Sequence, residues 1–78
     1  MNELKPNHLY KILSFGPIFW YASDPKLTNF DRKIDSKYSF QFLGIEYKSI
    51  DKTNIIKILT KDGIGYIRID KNTIIEEQ

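Results

Sequence analysis

Few side chains in this sequence could carry out acid–base or nucleophilic chemistry, and they are far apart along the chain. The 78 residues include one histidine, His8, and no cysteine. A catalytic base must lie within hydrogen-bond reach of a nucleophile, and no serine or aspartate is placed to form a recognisable triad with His8. The acidic residues are scattered, and Asp51, Asp62 and Asp70 fall in or beside predicted turns, where aspartate commonly hydrogen-bonds its own backbone. We therefore expect no enzyme activity, and a structural or surface role for His8.

The spacing of potential metal ligands and of the glycines gives no indication of a cofactor site. One histidine and no thiolate exclude a histidine-rich or cysteine-based metal site, and the acidic residues lack the spacing of a calcium-binding loop. The segment Gly63-Ile64-Gly65 is too short for a phosphate-binding loop, so we expect its glycines to serve a turn and close packing. The sequence thus predicts no metal and no cofactor.

Aromatic side chains concentrate in one irregular segment near the start of the chain, which we interpret as a protein-binding surface. Tryptophan and tyrosine are enriched at binding hot spots because they bury a large area at a low entropy cost. We expect the surface to run from Ile18 to Phe30, with Trp20 and Tyr21 as anchors and two basic residues at the rim. In the alternative interpretation, which is favoured for Phe15 and Phe19, the aromatic residues close the open end of a small barrel. The predicted partner-binding residues are Phe19, Trp20, Tyr21, Phe30, Arg32 and Lys33.

Basic residues flank the aromatic segment and make nucleic-acid binding the alternative function. Cations among exposed aromatic residues can follow a phosphate backbone while the rings stack on bases. Lys26 and Lys37 add to the two basic rim residues, but Asp24, Asp31 and Asp35 are interleaved with them and cancel most of the positive potential. The net charge is only +2, so a solvated charged face is favoured over a nucleic-acid surface.

Length and composition indicate one small domain over residues 1–78, with residues 1–7 as a lead-in segment. A domain of this size buries only about 60 to 65% of its unfolded surface and often depends on a disulfide, a metal or a partner. Without cysteine, stability must come from good packing or from association, which includes association into an oligomer. No apolar run approaches the roughly 20 residues needed to span a bilayer, and Met1 to Pro6 lacks the apolar core of a signal peptide. These features favour a cytoplasmic location without membrane association.

The densest run of β-branched residues lies in the last third of the chain and predicts three consecutive strands. Asp62-Gly63 between two such runs is a strong hairpin signal. Earlier, Tyr38 to Lys48 shows an alternation whose phase changes beside Gly44, which indicates a bulge or a sharp bend. Phe15 to Lys37 is less regular and predicts a long first loop, within which Ile18 to Ala22 can form a short strand. The predicted main strands are His8 to Ser14, Tyr38 to Lys48, Asn54 to Thr60, Ile64 to Asp70 and Thr73 to Glu76.

This order of elements predicts a small five-stranded antiparallel β-barrel. It contains five short strands, one long early loop, a polar turn over Ser49 to Thr53 and no helix longer than two turns. Closure of the barrel would also cover sheet edges that, being rich in isoleucine, favour aggregation when they are exposed.

The segment Lys57-Ile58-Leu59-Thr60-Lys61-Asp62-Gly63-Ile64-Gly65-Tyr66-Ile67 resembles the distal half of Src-homology-three-like barrels, including bacterial ones. In that family a strand, a turn and a Gly-aromatic-aliphatic strand precede a single 3₁₀ turn and a last strand. The resemblance implies that Arg68 to Asn72 forms that turn and that Thr73 to Glu76 forms the last strand. It also implies that Leu9-Tyr10 starts the barrel and that Gly16 to Asp35 forms its long first loop.

Two departures separate this chain from the family members that bind polyproline. Their groove includes a tryptophan after the turn that precedes the third strand, and Asn54 stands near that place here. The proline and tyrosine that follow the family's Gly-aromatic pair are replaced by Ile69, Asp70 and Thr73. The resemblance thus implies the fold and does not imply polyproline binding, since fold alone does not define function.

Together these features predict a non-enzymatic protein-binding or structural assembly module. Heavy use of isoleucine, lysine and asparagine is typical of AT-rich coding genomes, such as those of bacteriophages and low-GC bacteria. A phage origin would fit a small component located within the virion, or an inhibitor that docks on a host protein. An exposed strand edge would add pairing with a partner sheet.

Overall fold

The computed structural model describes residues 4–14, 16–48 and 53–78, and these residues form seven β-strands and no helix. In chain order the strands are β1 (Leu9–Ile12), β2 (Ile18–Tyr21), β3 (Arg32–Asp35), β4 (Phe40–Lys48), β5 (Asn54–Thr60), β6 (Gly63–Ile69) and β7 (Ile75–Glu77). The all-β class predicted from the sequence is confirmed. The predicted turn over Ser49 to Thr53 lies, except for its last residue, outside the described residues.

Five of these strands form one antiparallel sheet in the order β6-β5-β4-β1-β7, and β2 pairs with β3 in an antiparallel hairpin. An isolated bridge between Ala22 and Tyr66 joins the two sheets. The Ala22 amide donates to the Tyr66 carbonyl at 3.0 Å, and the Tyr66 amide donates to the Ala22 carbonyl at 2.8 Å. The described residues therefore form seven strands in two sheets, whereas the sequence predicts five strands. Closure of these strands into a barrel stays a prediction.

The additional strands come from the segment that the sequence analysis treats as one long loop. The optional strand over Ile18 to Ala22 is present as β2, whereas β3 is not predicted at all. Ile34 is the only apolar residue of β3, so no alternation marks it in the sequence. Ile34 lies opposite Phe19 in the register of the hairpin, and both side chains are buried. Residues 32–35 therefore form a strand because of their pairing with β2 and the burial of Ile34, and not because of a high intrinsic β-propensity.

β5 and β6 form the predicted hairpin, with Thr60 opposite Gly63. The chain reverses at Lys61 and Asp62, and Gly63 begins β6 with a φ of 104°, which glycine adopts without steric cost. The Thr60 hydroxyl accepts a hydrogen bond from the Asp62 amide at 3.1 Å and donates to the Gly63 carbonyl at 3.3 Å. The Asp-Gly signal thus identifies the hairpin correctly and misplaces its turn by one residue.

β4 is the longest strand, and it bends where the sequence predicts a bend. Phe40 and Phe42 are buried, and the register against β5 shifts between Phe42 and Gly44. A second shift lies between Ile45 and Tyr47, and both of these side chains are exposed. From Ile45 to Lys48 both faces of β4 are exposed, so the second half of the strand presents two large apolar side chains to solvent.

The last strands differ from the predicted boundaries. β6 continues through Ile69 and β7 begins at Ile75, so the 3₁₀ connection expected over Arg68 to Asn72 is wrong. A turn replaces it: the Asp70 carboxylate accepts a hydrogen bond from the Asn72 amide at 2.8 Å. The buried hydroxyl of Thr73 also accepts a hydrogen bond from the Asp70 amide at 3.0 Å.

Both sheets contribute to a common hydrophobic core. The Tyr10 ring centroid lies 6.5 Å from that of Phe40 and 6.4 Å from that of Phe42, the latter in an edge-on arrangement typical of packed rings. This core holds the β2–β3 hairpin on the larger sheet and thereby positions the aromatic segment. The core side chains are Tyr10, Ile12, Phe19, Tyr21, Ile34, Phe40, Phe42, Ile56, Ile58, Ile67 and Ile69.

Candidate functional site

The predicted anchor Trp20 lies on the outer face of the β2–β3 hairpin. Its side chain is 55% exposed, and Lys33 lies opposite it in the register of the two strands. The Lys33 Nζ is positioned over the indole ring, 5.7 Å from its centroid, which is within the range of a cation–π interaction. Cross-strand pairing therefore brings these two predicted site residues together on one surface.

The same strand alternation places Phe19 and Tyr21 on the inner face, so the prediction that Tyr21 is an exposed anchor is wrong. Tyr21 is 0% exposed, and its hydroxyl lies 2.7 Å from the Thr60 hydroxyl. Its ring lies against Gly65, where an added Cβ atom would overlap the ring. Phe19, also predicted as a partner-binding residue, is buried in the core, and a role in closing the end of a barrel stays a prediction. Phe15 lies outside the described residues.

Arg32 is half-buried, and its guanidinium group is engaged within the fold. Its Nη1 donates to the Asp62 carbonyl at 2.8 Å and to the Ile64 carbonyl at 3.1 Å. A guanidinium group has five N–H donors in a fixed arrangement, which suits it to hold two backbone carbonyls at once. Arg32 therefore fastens β3 to the turn between β5 and β6, and it is not a free charge at the rim of a binding surface.

Phe30 lies in the loop between β2 and β3, where it is 51% exposed. The Asp24 carboxylate organises this loop, since it accepts hydrogen bonds from the Thr28 hydroxyl at 2.7 Å and the Asn29 amide at 2.9 Å. The hydrogen bond from the Thr28 hydroxyl is the main cause that lowers the pKa of Asp24, against an opposing effect of desolvation. The ionised carboxylate thus stabilises the loop conformation that presents Phe30.

Two adjoining depressions beside this loop form the candidate site. Their volumes are about 420 and 260 Å³, and Phe30 and Arg68 line both of them. We call the combined surface the aromatic groove. The larger depression is lined by Lys26, Leu27, Phe30, Tyr47, Thr53, Ile55 and Arg68, and the smaller by Phe19, Trp20, Phe30, Ile67 and Arg68.

Among the residues that the structure describes, those that line the aromatic groove include cations and no carboxylate. Lys26 and Arg68 are the only charged residues among the described residues that line it. Neither side chain forms a hydrogen bond or an ion pair with any residue of the described part of the chain. Lys37 differs in this respect, because its Nζ lies 3.9 Å from a carboxylate oxygen of Asp35 and 5.3 Å from the ring centroid of Tyr38. The groove therefore combines exposed rings with two cations available for an external partner.

Of the predicted site residues, Trp20 and Phe30 line the groove as exposed rings. Tyr47 and Arg68 also line it and are not among the residues predicted from the sequence. Tyr47 is 59% exposed and lies in the second half of β4, where the residues of both faces are exposed. Arg68 stands in β6 between the buried residues Ile67 and Ile69, so strand alternation indicates that it points away from the core. No feature of the sequence indicates that either residue lies beside Phe30, because that proximity depends on how the two sheets are joined.

Within residues 4–14, 16–48 and 53–78, no group of three or more histidine, cysteine, aspartate or glutamate side chains is arranged to hold a metal ion. None of these described segments forms a helix that would be long and apolar enough to span a membrane. Comparisons of the chain with protein-family models, curated proteins and solved structures find no match. In structural terms, the described residues form a small all-β domain with a groove lined by aromatic and cationic side chains.

Proposed function

We propose that this protein is a non-enzymatic protein-binding or assembly module that contacts its partner through the aromatic groove. One observation carries the proposal: Trp20, Phe30 and Tyr47 are each more than half exposed and line adjoining depressions. Exposed rings gathered on one face of a small domain are typical of an interaction site. Covering them with a partner removes their apolar surface from water, and this favours association.

The arrangement of the rings before binding supports the same proposal. The Lys33 ammonium group lies over Trp20, and the hydrogen bonds to Asp24 hold the loop that carries Phe30. Tyr47 belongs to β4, which is paired with β5 along its length. Side chains that are already ordered lose less conformational entropy when a partner binds, so a preorganised groove binds more tightly than a flexible one.

We also propose that the domain is a Src-homology-three-like barrel of the bacterial or phage type. The order β5, turn, β6, turn, β7 supports this relationship, as does the position of Gly65-Tyr66-Ile67 within β6. The bridge between Ala22 and Tyr66 supports closure, because it continues strand pairing from the larger sheet into the β2–β3 hairpin. A component of a phage virion and an inhibitor of a host protein are two forms that the proposed function can take.

Affinity capture from the source cell, followed by mass spectrometry, tests the role of the groove with Trp20→Ala and Ile18→Ala as a matched pair. Both side chains lie on the outer face of β2 and are similarly exposed, but Ile18 is not one of the residues that line the groove. We expect Trp20→Ala to abolish capture of the partner and Ile18→Ala to retain it. Each substitution should change the free energy of unfolding by no more than about 0.5 kcal/mol, because both side chains are at the surface.

Two results would contradict this role. Capture that survives Trp20→Ala would remove the groove from the interface. A loss of stability above about 2 kcal/mol in Trp20→Ala would indicate a core side chain, because surface substitutions rarely cost so much.

Nucleic-acid binding is the second candidate function, and the two cations of the groove favour it together with the Lys33 ammonium group over Trp20. Basic groups beside exposed rings can hold phosphates while the rings stack on bases. Retarded migration of labelled single- or double-stranded oligonucleotides, weakening steeply as salt is added, would support this candidate. Unchanged migration at low salt would exclude it.

A further inference from the structure

We propose that the partner of the aromatic groove is an extended acidic segment of another protein, with one carboxylate on Arg68 and apolar side chains in the depressions on either side. This inference rests on the proposed function and adds the chemical class of the partner. The charge of this partner complements that of the groove, whose described lining residues include two cations and no acidic residue.

Arg68 has the position that a carboxylate-binding residue requires. It lies opposite Ile55 in the register of β5 and β6, and it lines both depressions together with Phe30. The buried neighbours Ile67 and Ile69 fix the backbone on either side, so the exposed arginine side chain starts from an ordered strand. A binding group on a rigid element positions its ligand more accurately than one on a mobile loop.

The chemistry of the guanidinium group selects for a carboxylate. Its planar N–H donors match the two oxygens of a carboxylate group, and such charge-assisted pairs are about twice as strong as neutral hydrogen bonds. Within the described chain no acceptor occupies the Arg68 guanidinium.

The two depressions explain why the carboxylate should be flanked by apolar residues. Leu27, Tyr47 and Ile55 line the larger depression, and Trp20 and the core residue Phe19 line the smaller one. An extended segment crossing Arg68 would therefore bring apolar side chains to both sides of the ion pair.

A nucleic acid fits the same charges less well. Binding of a phosphate backbone involves many ionic contacts, and the described groove lining supplies only two cations. Arg32, which the sequence places at the rim, donates instead to two backbone carbonyls of the β5–β6 turn. The two remaining cations of the groove match one or two carboxylates of a peptide.

A display library of random dodecapeptides, selected on the full chain, tests the inference. We expect the selected peptides to be enriched in aspartate and glutamate next to aromatic or aliphatic residues, relative to the unselected library. Fluorescence anisotropy with the selected peptides should show binding about tenfold weaker for Arg68→Gln, as expected for loss of a charge-assisted hydrogen bond. The matched control Lys71→Gln removes the same charge from the exposed turn between β6 and β7 and should leave the affinity unchanged.

The outcomes separate this inference from the proposed function. Selected peptides that lack acidic enrichment but lose binding in Trp20→Ala would overturn the acidic partner and leave the protein-binding groove in place. A library that yields no peptide dependent on Trp20 or Arg68 would overturn both. A labelled oligothymidylate that binds more tightly than the best peptide, and that depends on Arg68, would replace the acidic protein segment by a nucleic acid.

Discussion

The close packing of Tyr21 on β6 predicts that Gly65→Ala destabilises the fold. A Cβ atom at position 65 would overlap the Cδ2 and Cε2 atoms of the Tyr21 ring and would lie 3.2 Å from the Ala22 carbonyl oxygen. The ring cannot move toward solvent, because Tyr21 is completely buried and its hydroxyl is tied to Thr60. The Ala22 carbonyl is also fixed, since it accepts the hydrogen bond that joins the two sheets.

The size of the effect follows from two opposing contributions. Overpacking in a rigid core costs about 1 to 3 kcal/mol, and the upper end applies here because a ring and a backbone carbonyl are both affected. Replacing glycine restricts the unfolded chain and returns about 0.4 to 1 kcal/mol. We therefore expect Gly65→Ala to lower the free energy of unfolding by about 2 kcal/mol, which is a large part of the stability of a domain this small.

Urea unfolding followed by far-ultraviolet circular dichroism measures this cost, and a second background identifies its cause. Valine at position 21 lacks the overlapping ring carbons and keeps a high preference for strands. In the Tyr21→Val background, the cost of Gly65→Ala should fall to less than about 1 kcal/mol. An equal cost in both backgrounds, or a cost below about 0.5 kcal/mol in the native background, would refute the argument from close packing.

Two further predictions concern the residues that hold the aromatic segment in place. Arg32→Met should lower the free energy of unfolding in urea by about 1 to 2 kcal/mol, because two carbonyls of the β5–β6 turn lose a charged donor. The control Lys33→Met should lower it by less than about 0.5 kcal/mol. Equal losses in the two variants would argue against the hydrogen bonds. Because its folded-state pKa is lowered from 3.8, Asp24 stabilises its loop above that pH, and this contribution is lost as the pH falls through the lowered pKa. The backbone amide resonance of Thr28 should therefore titrate with a midpoint below pH 3.8. In the control variant Asp24→Asn it should not titrate in that range. A midpoint at or above pH 3.8 would contradict this role.

Local features of the sequence were sufficient to predict much of the larger sheet. The bounds Asn54 to Thr60 match β5 at both ends, and the change of phase beside Gly44 coincides with a shift in register. The expected use of Gly65 in close packing is confirmed by the nearness of a buried ring, and Gly63 has a positive φ at the first position after the turn. These features depend on turn geometry and on side-chain alternation, which act over a few residues.

β3 and the orientation of β2 could not be predicted in this way. Alternation requires Trp20 to face opposite to Phe19 and Tyr21, but it does not determine which face is buried. Which face of β2 is buried depends on residues far along the chain. Ile34 lies opposite Phe19 in the hairpin, and the Thr60 hydroxyl forms a hydrogen bond with the Tyr21 hydroxyl. Tyr21 is therefore predicted on the exposed face of β2, because it is adjacent in sequence to Trp20, whereas it lies on the buried face.

The sequence by itself determined the all-β class, the main hairpin and the aromatic character of the early segment, because turn residues and alternation are local properties. The tertiary structure alone decided that Trp20, Phe30, Tyr47 and Arg68 form one groove. These residues belong to separate strands and a loop, and they meet because packing buries one face of each strand and the bridge at Ala22 attaches the hairpin to β6. A binding surface assembled from distant parts of the chain is set by that packing, which no short stretch of sequence records.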